Sequence, residues 1–207
     1  MKHIALLTTL LLSASLQAVE KPYDYVFFEN SLMKGDYFYS QAKYTSPSWI
    51  KNARHHLPVA GSVAFTPGNS LELTYVSAPG GDWYSEIQYC PVRGNDFFRE
   101  PSTLSMQVRL RESMNAAALP NIAIRYADST YTQYLNLRNY LKDTRPGVWH
   151  PVSIPLEDFG LNAVNDTNIK KLAAVALRPG TADGNEYTIY LDDIELLPAS
   201  LPSVSAL

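Results

Sequence analysis

The feature that most constrains this chain is a period of two, recurring in short segments that are each broken by turn chemistry. Strand-like segments recur at 70–76, 83–90, 103–111, 121–127, 132–140, 149–155, 171–178 and 187–196, after a short aromatic segment at 23–28, and alternation of apolar and polar residues dominates them. Between them stand Pro67-Gly68-Asn69, Pro79-Gly80-Gly81-Asp82, Arg145-Pro146-Gly147, and Pro179-Gly180 with Asp183-Gly184-Asn185. Side chains on a strand point alternately to opposite faces, so each segment buries one face and solvates the other. Many such strands with turns between them predict an all-β fold, a two-sheet antiparallel β-sandwich of the jelly-roll kind. Short turns near 156–159 and 166–170 are the helical candidates. The stretch 29–61 reads as a long irregular connection, and loops of that length inside a compact domain usually serve function.

The N-terminus has a different pattern. Lys2 and His3 precede an apolar run from Ile4 to Leu12, followed by small residues and Ala18. That is the layout of a secretory signal peptide at 1–18, which predicts a secreted or periplasmic protein. The run is shorter than the ~20 apolar residues of a membrane-spanning helix. The β-sandwich domain then occupies 19–197, and 198–207 is a Pro- and Ser-containing tail. A net charge of −3 argues against a non-specific nucleic-acid binder. Cys90 is the single cysteine, so neither an internal disulfide nor a cysteine-cluster metal site is available.

Alternation also assigns faces. Leu104, Met106, Val108 and Leu110 point inward, leaving Gln107 and Arg109 outside; Ile122 and Ile124 leave Arg125 outside. Leu135 and Leu137 leave Tyr134, Asn136 and Arg138 outside, and Ile87 leaves Tyr84, Glu86 and Gln88 outside. If these strands are neighbours, one outer face presents Tyr, Asn, Gln, Glu and three arginines, with no Lys on any of the four. Planar amide, carboxylate and guanidinium groups match the paired hydroxyls of a sugar, and aromatic rings cover its apolar face. Trp49 and Trp83, in or beside loops, are the candidate stacking platforms at the rim. Three clustered arginines predict an acidic or highly hydroxylated polysaccharide or oligosaccharide as partner.

Three motifs sharpen this. Val26-Phe27-Phe28-Glu29-Asn30, Trp149-His150-Pro151-Val152-Ser153-Ile154-Pro155-Leu156 and Ile189-Tyr190-Leu191-Asp192-Asp193-Ile194-Glu195-Leu196 resemble those of carbohydrate-binding modules of the galactose-binding-like jelly-roll type. Such modules are found attached to bacterial glycan-degrading enzymes. The resemblance spans nearly the whole mature chain, although 31–61 departs from the compact modules. It implies a non-catalytic glycan-binding module. It also implies a structural Ca²⁺ held by Glu29 and Asp193, with Asp192 disfavoured by strand parity; carboxylates and backbone carbonyls are the hard oxygens calcium needs.

Catalytic signals are sparse. His55, His56 and His150 have no zinc-like spacing to carboxylates, and nucleophile or phosphate-loop motifs are missing. Glu86 and Asp82 offer one carboxylate pair of the kind a glycoside hydrolase uses. A jelly-roll polysaccharide lyase would instead cast Tyr134, Asn136, Arg138, Arg125 and Gln107 as base, amide and guanidinium groups. A third alternative is a structural accessory domain of a larger glycan-degrading enzyme.

Overall fold

The computed structural model describes residues 25–89, 101–161 and 172–198. Residues 1–18, where a leader is expected, Cys90, residues 166–170, where a turn is expected, and the tail beyond Pro198 lie outside them. The described chain forms twelve strands: β1 (Tyr25–Phe28), β2 (Ser40–Thr45), β3 (Trp49–Ile50), β4 (Val59–Ala60), β5 (Ser70–Val76), β6 (Asp82–Gln88), β7 (Pro101–Leu110), β8 (Asn121–Tyr126), β9 (Leu135–Asn136), β10 (Trp149–Pro155), β11 (Leu172–Arg178) and β12 (Glu186–Pro198). They build two antiparallel sheets. One has the order β10-β7-β12-β5-β3, with β1 also on β12 and β4 on β5; the other is β2-β6-β11-β8-β9.

The alternation explains how the sheets close. Across the seven-stranded sheet Ile154 meets Leu104 and Leu104 meets Leu196, while Val108 meets Leu191 and Leu191 meets Leu71. Across the five-stranded sheet Ile87 meets Val175, which meets Ile124. All of these are buried, so two apolar faces make one core. A fully buried aliphatic side chain contributes about 1.5–3 kcal/mol relative to exposure. Of the expected core residues, Leu135 alone is only half-buried, packed at the edge.

Three local expectations change. The segment at 132–140 is a strand only at Leu135–Asn136, and then tightens into a 3-10 turn, Leu137–Tyr140, whose start is capped by Asn136 Oδ1 accepting from Arg138 N. The stretch 29–61 is not structureless, for it supplies β2, β3 and β4. It is tied down by Arg54, whose Nη2 donates to the buried Asp36 carboxylate at 2.8 Å, and by Tyr37, whose hydroxyl donates to Phe27 O at 2.7 Å. Finally, Trp83 is inside the core at 1 % exposure, its ring 4.8 Å from that of Tyr75 and its indole N–H donating to Ser77 Oγ. It is therefore not a rim platform. Parity explains this: Trp83 shares its strand face with Ile87.

A second buried device holds the loop before β5. Asp192 has no exposed surface, and its Oδ2 accepts from the backbone N–H groups of Phe65 and Thr66, its Oδ1 from that of Asp193. Burial pushes this carboxyl up to about 6 against the three N–H groups that favour its charge.

Candidate functional site

The outer face of the five-stranded sheet is built around small residues. Its central strand β11 turns Ala174 and Ala176 outward, beside Ala123 of β8, and all three are fully covered by their neighbours. Adjacent strands lie ~5 Å apart, so β6 and β8 stand ~10 Å apart across this alanine floor. Larger side chains reach over it. Glu86 is opposite Ala176 and Arg125 opposite Ala174, and the pair meets diagonally across β11 with Arg125 Nε 2.9 Å from Glu86 Oε1. The contact is ionic, since the Nε–H is not aimed at the oxygen. Both side chains are mostly out of water, and Tyr131 adds a hydrogen bond from its hydroxyl to Glu86 Oε1 at 2.8 Å. A carboxylate buried this deeply is tolerable only when paired and hydrogen-bonded, as here.

The second cluster sits toward the other end of β6. Arg178 donates through Nη1 to Asp82 Oδ2 at 2.8 Å and through Nε to the Tyr134 hydroxyl at 3.2 Å. Its guanidinium lies 5.7 Å from the Tyr84 ring centre and 5.9 Å from that of Tyr134, within cation–π range. Tyr134 in turn stacks with Tyr131, centroids 6.0 Å apart and planes at 28°. The Tyr84 hydroxyl donates to Gln41 Oε1 on the edge strand β2. The result is an aromatic strip, Tyr84–Tyr134–Tyr131, with Tyr131 and Tyr134 each 37 % exposed. Gln88 lies further along the same face of β6, half-buried opposite Ala174. Asn136 faces the same way and donates to Asn121 Oδ1.

The electrostatics keep these phenols protonated. Burial, with the hydrogen bond to Glu86, pushes the Tyr131 phenol up to about 12, and burial and the same carboxylate raise Tyr84. Phenols held protonated in this way keep their O–H groups on Glu86 and Gln41, so they present ring faces and hydroxyl lone pairs to a ligand.

Of the residues expected from sequence, this face unites Tyr84, Glu86, Gln88, Arg125, Tyr134 and Asn136. It does not include Gln107 and Arg109. They alternate outward as predicted, but β7 belongs to the other sheet, so they lie on the opposite side of the molecule. Trp49 is also there, half-buried opposite Val76. Arg138 departs with the 3-10 turn, where its Nη1 donates back to Leu141 O. The face adds Tyr131, Arg178, Asp82 and Gln41. Parity could have found Arg178, since Val175 and Leu177 point inward; Tyr131 sits in an irregular turn with no period to read.

A two-sheet antiparallel sandwich with an aromatic and polar strip across one sheet is the architecture of a β-sandwich carbohydrate-binding module. The sequence profile of the family carbohydrate binding domain 30 matches residues 24–197, and the chain belongs to that family. Its fold is similar to the family 30 carbohydrate-binding module of a cellulosomal cellulase of Clostridium thermocellum, at 17 % identity and a TM-score of 0.62, covering 85 % of this chain and 98 % of that one. A second family 30 module gives 18 % identity, a TM-score of 0.61 and coverage of 88 % and 91 %. A family 11 module from Clostridium thermocellum, solved with a β-1,3-1,4-mixed-linked tetrasaccharide, gives 13 % identity, a TM-score of 0.53 and coverage of 79 % and 91 %. The protein is thus a carbohydrate-binding β-sandwich module.

Proposed function

We propose that the outer face of the five-stranded sheet binds a neutral β-glucan chain without cleaving it. The observation that carries this is Arg178, held between the rings of Tyr84 and Tyr134 while bonded to Asp82. It fixes two rings for stacking on pyranose faces and sets guanidinium and carboxylate edges beside them for hydroxyl pairs. The three-arginine argument for an acidic ligand loses its basis on this face. Arg125 is neutralised by Glu86 and Arg178 by Asp82, so neither calls for an anion. The mixed-linked tetrasaccharide in the family 11 module supports a β-glucan as the probe.

The test is affinity electrophoresis and calorimetry with neutral mixed-linked β-glucan, together with an assay for released reducing ends. Wild type should be retained and release none. Tyr134→Ala and Arg178→Ala should each weaken binding by about 1–3 kcal/mol, the scale of a charged hydrogen bond or desolvated cation–π contact. Arg138→Ala should change little. No retention of the wild type would end the reading, and reducing ends would move it to an enzyme.

Two further expectations accompany it. The leader layout supports export, and no helix of the described residues is long and apolar enough to cross a membrane. A structural Ca²⁺ is supported by donor chemistry. Glu29 follows Phe28, whose partner Ile194 follows Asp193, so the two carboxylates hold neighbouring register positions. Thr66 Oγ1 is 2.9 Å and 2.8 Å from the Asp193 oxygens, giving a set of hard oxygens. Asp192 is unsuited, being spent on backbone N–H groups. Among the described residues no three acidic, Cys or His side chains converge, so carbonyls and water would complete the shell.

A further inference from the structure

The outer face of the seven-stranded sheet is also built rather than merely solvated. One row of cross-strand partners runs Trp149 (β10), Arg109 (β7), Tyr190 (β12), Glu72 (β5). Directly opposite residues bring their Cβ atoms to ~5 Å, so Arg109 stands between two half-buried aromatic side chains. Phe65 packs edge-on against Trp149 at 6.0 Å between centroids while remaining 50 % exposed. That exposed ring is not left to a floppy loop. The fully buried Asp192 carboxylate holds the Phe65 and Thr66 N–H groups at 2.7 and 3.2 Å. Burying an ionisable group to pin a surface loop is a costly arrangement, which a purely solvated loop tip does not need.

Charge distinguishes this face from the first. Glu72 is taken by Lys51 at 2.6 Å, and Asp192 by backbone N–H groups. Glu112 accepts from Thr188 N and lies 3.9 Å from Arg111. Among the described residues no carboxylate lies within ion-pair distance of Arg109, whose buried Nε also lacks a hydrogen-bond partner. A cation standing between aromatic side chains with no anion of its own is complementary to a ligand that brings one.

We infer that this face, through Phe65, Trp149, Arg109 and Gln107, is a second glycan site, one that takes a sugar bearing a carboxylate. The exposed Phe65 ring, braced edge-on by Trp149, covers a pyranose face, Arg109 pairs with the uronate, and Gln107, on the next outward position of β7, meets its hydroxyls. The ligand class rests on the reading of the protein as a glycan binder, but the site is independent of the first face.

The two are separated by retention on immobilised polygalacturonate and on neutral mixed-linked β-glucan. Wild type should bind both, and only the polygalacturonate interaction should weaken steeply with salt. Arg109→Gln and Phe65→Ala should each lower polygalacturonate affinity about tenfold or more while leaving the β-glucan affinity unchanged. Tyr134→Ala should do the reverse. Phe65→Ala removes an exposed ring and leaves the backbone N–H groups on Asp192, so an unchanged melting temperature is expected and certifies its fold. The inference is overturned if wild type ignores polygalacturonate, if Arg109→Gln and Phe65→Ala bind it normally, or if Tyr134→Ala abolishes it too. Loss of β-glucan binding alone in the wild type would sink the first site and leave this one standing.

Discussion

Glu86 and Arg125 are neighbours whose value lies in each other. Both are largely out of water, and Tyr131 completes the carboxylate's hydrogen bonding. Removing one charge therefore leaves the other stranded, which typically costs about 3–5 kcal/mol, whereas replacing both by apolar residues of similar size is often neutral. Glu86→Gln is expected to lower stability in urea unfolding by an amount near the bottom of that range, because Arg125 keeps some access to water. The pair Glu86→Leu with Arg125→Met should recover most of it. Additive losses would mean that the two charges act independently. Parity placed both residues outside the core; that they would find each other was not legible. The reason is β11. A two-residue spacing says which way Ala174 and Ala176 point, but not that β11 would lie between β6 and β8 and let long side chains close over it.

At the scale of elements the same division holds. The strands at 70–76 and 149–155 coincide with their sequence patterns, because strict alternation and flanking turn residues fix both register and ends. Strand order did not follow, since hydrophobic period carries no address. The supposition that β6, β7, β8 and β9 share a sheet therefore failed for β7 alone, taking Gln107 and Arg109 with it. Asn136 ended β9 early by capping the 3-10 turn, a local hydrogen bond that outcompetes the ladder. The turn before β6 shows how tightly elements abut. A Cβ on Gly81 would lie 2.2 Å from Ser48 N and 2.7 Å from Thr45 O, both backbone atoms that cannot swing aside. Gly81→Ala should cost at least ~2 kcal/mol in thermal or urea unfolding, the range of overpacking against backbone. Gly147→Ala, with no atom within 4 Å, carries only the strain of its φ of +76° and should cost about 1 kcal/mol. Equal effects would disconnect the penalty from the close approach.

For the molecule as a whole, the proposed calcium would act through mass action on the folded state, because Glu29 and Asp193 meet only when β1 has paired with β12. Chelator should lower the melting temperature of wild type and leave that of Asp193→Ala unmoved, and an unchanged wild-type melt would remove the ion from this account. The strip on the five-stranded sheet has another implication. Tyr84, Tyr131 and Tyr134 are already bonded to Gln41, Glu86 and Arg178 before any sugar arrives. A glucan chain thus meets side chains whose rotameric freedom has largely been surrendered during folding, and the ordering entropy of association falls mainly on the polysaccharide. Calorimetry should then register a heat-capacity change no larger than the apolar surface covered on the rings accounts for, and longer oligosaccharides should gain affinity only until the aromatic strip is spanned.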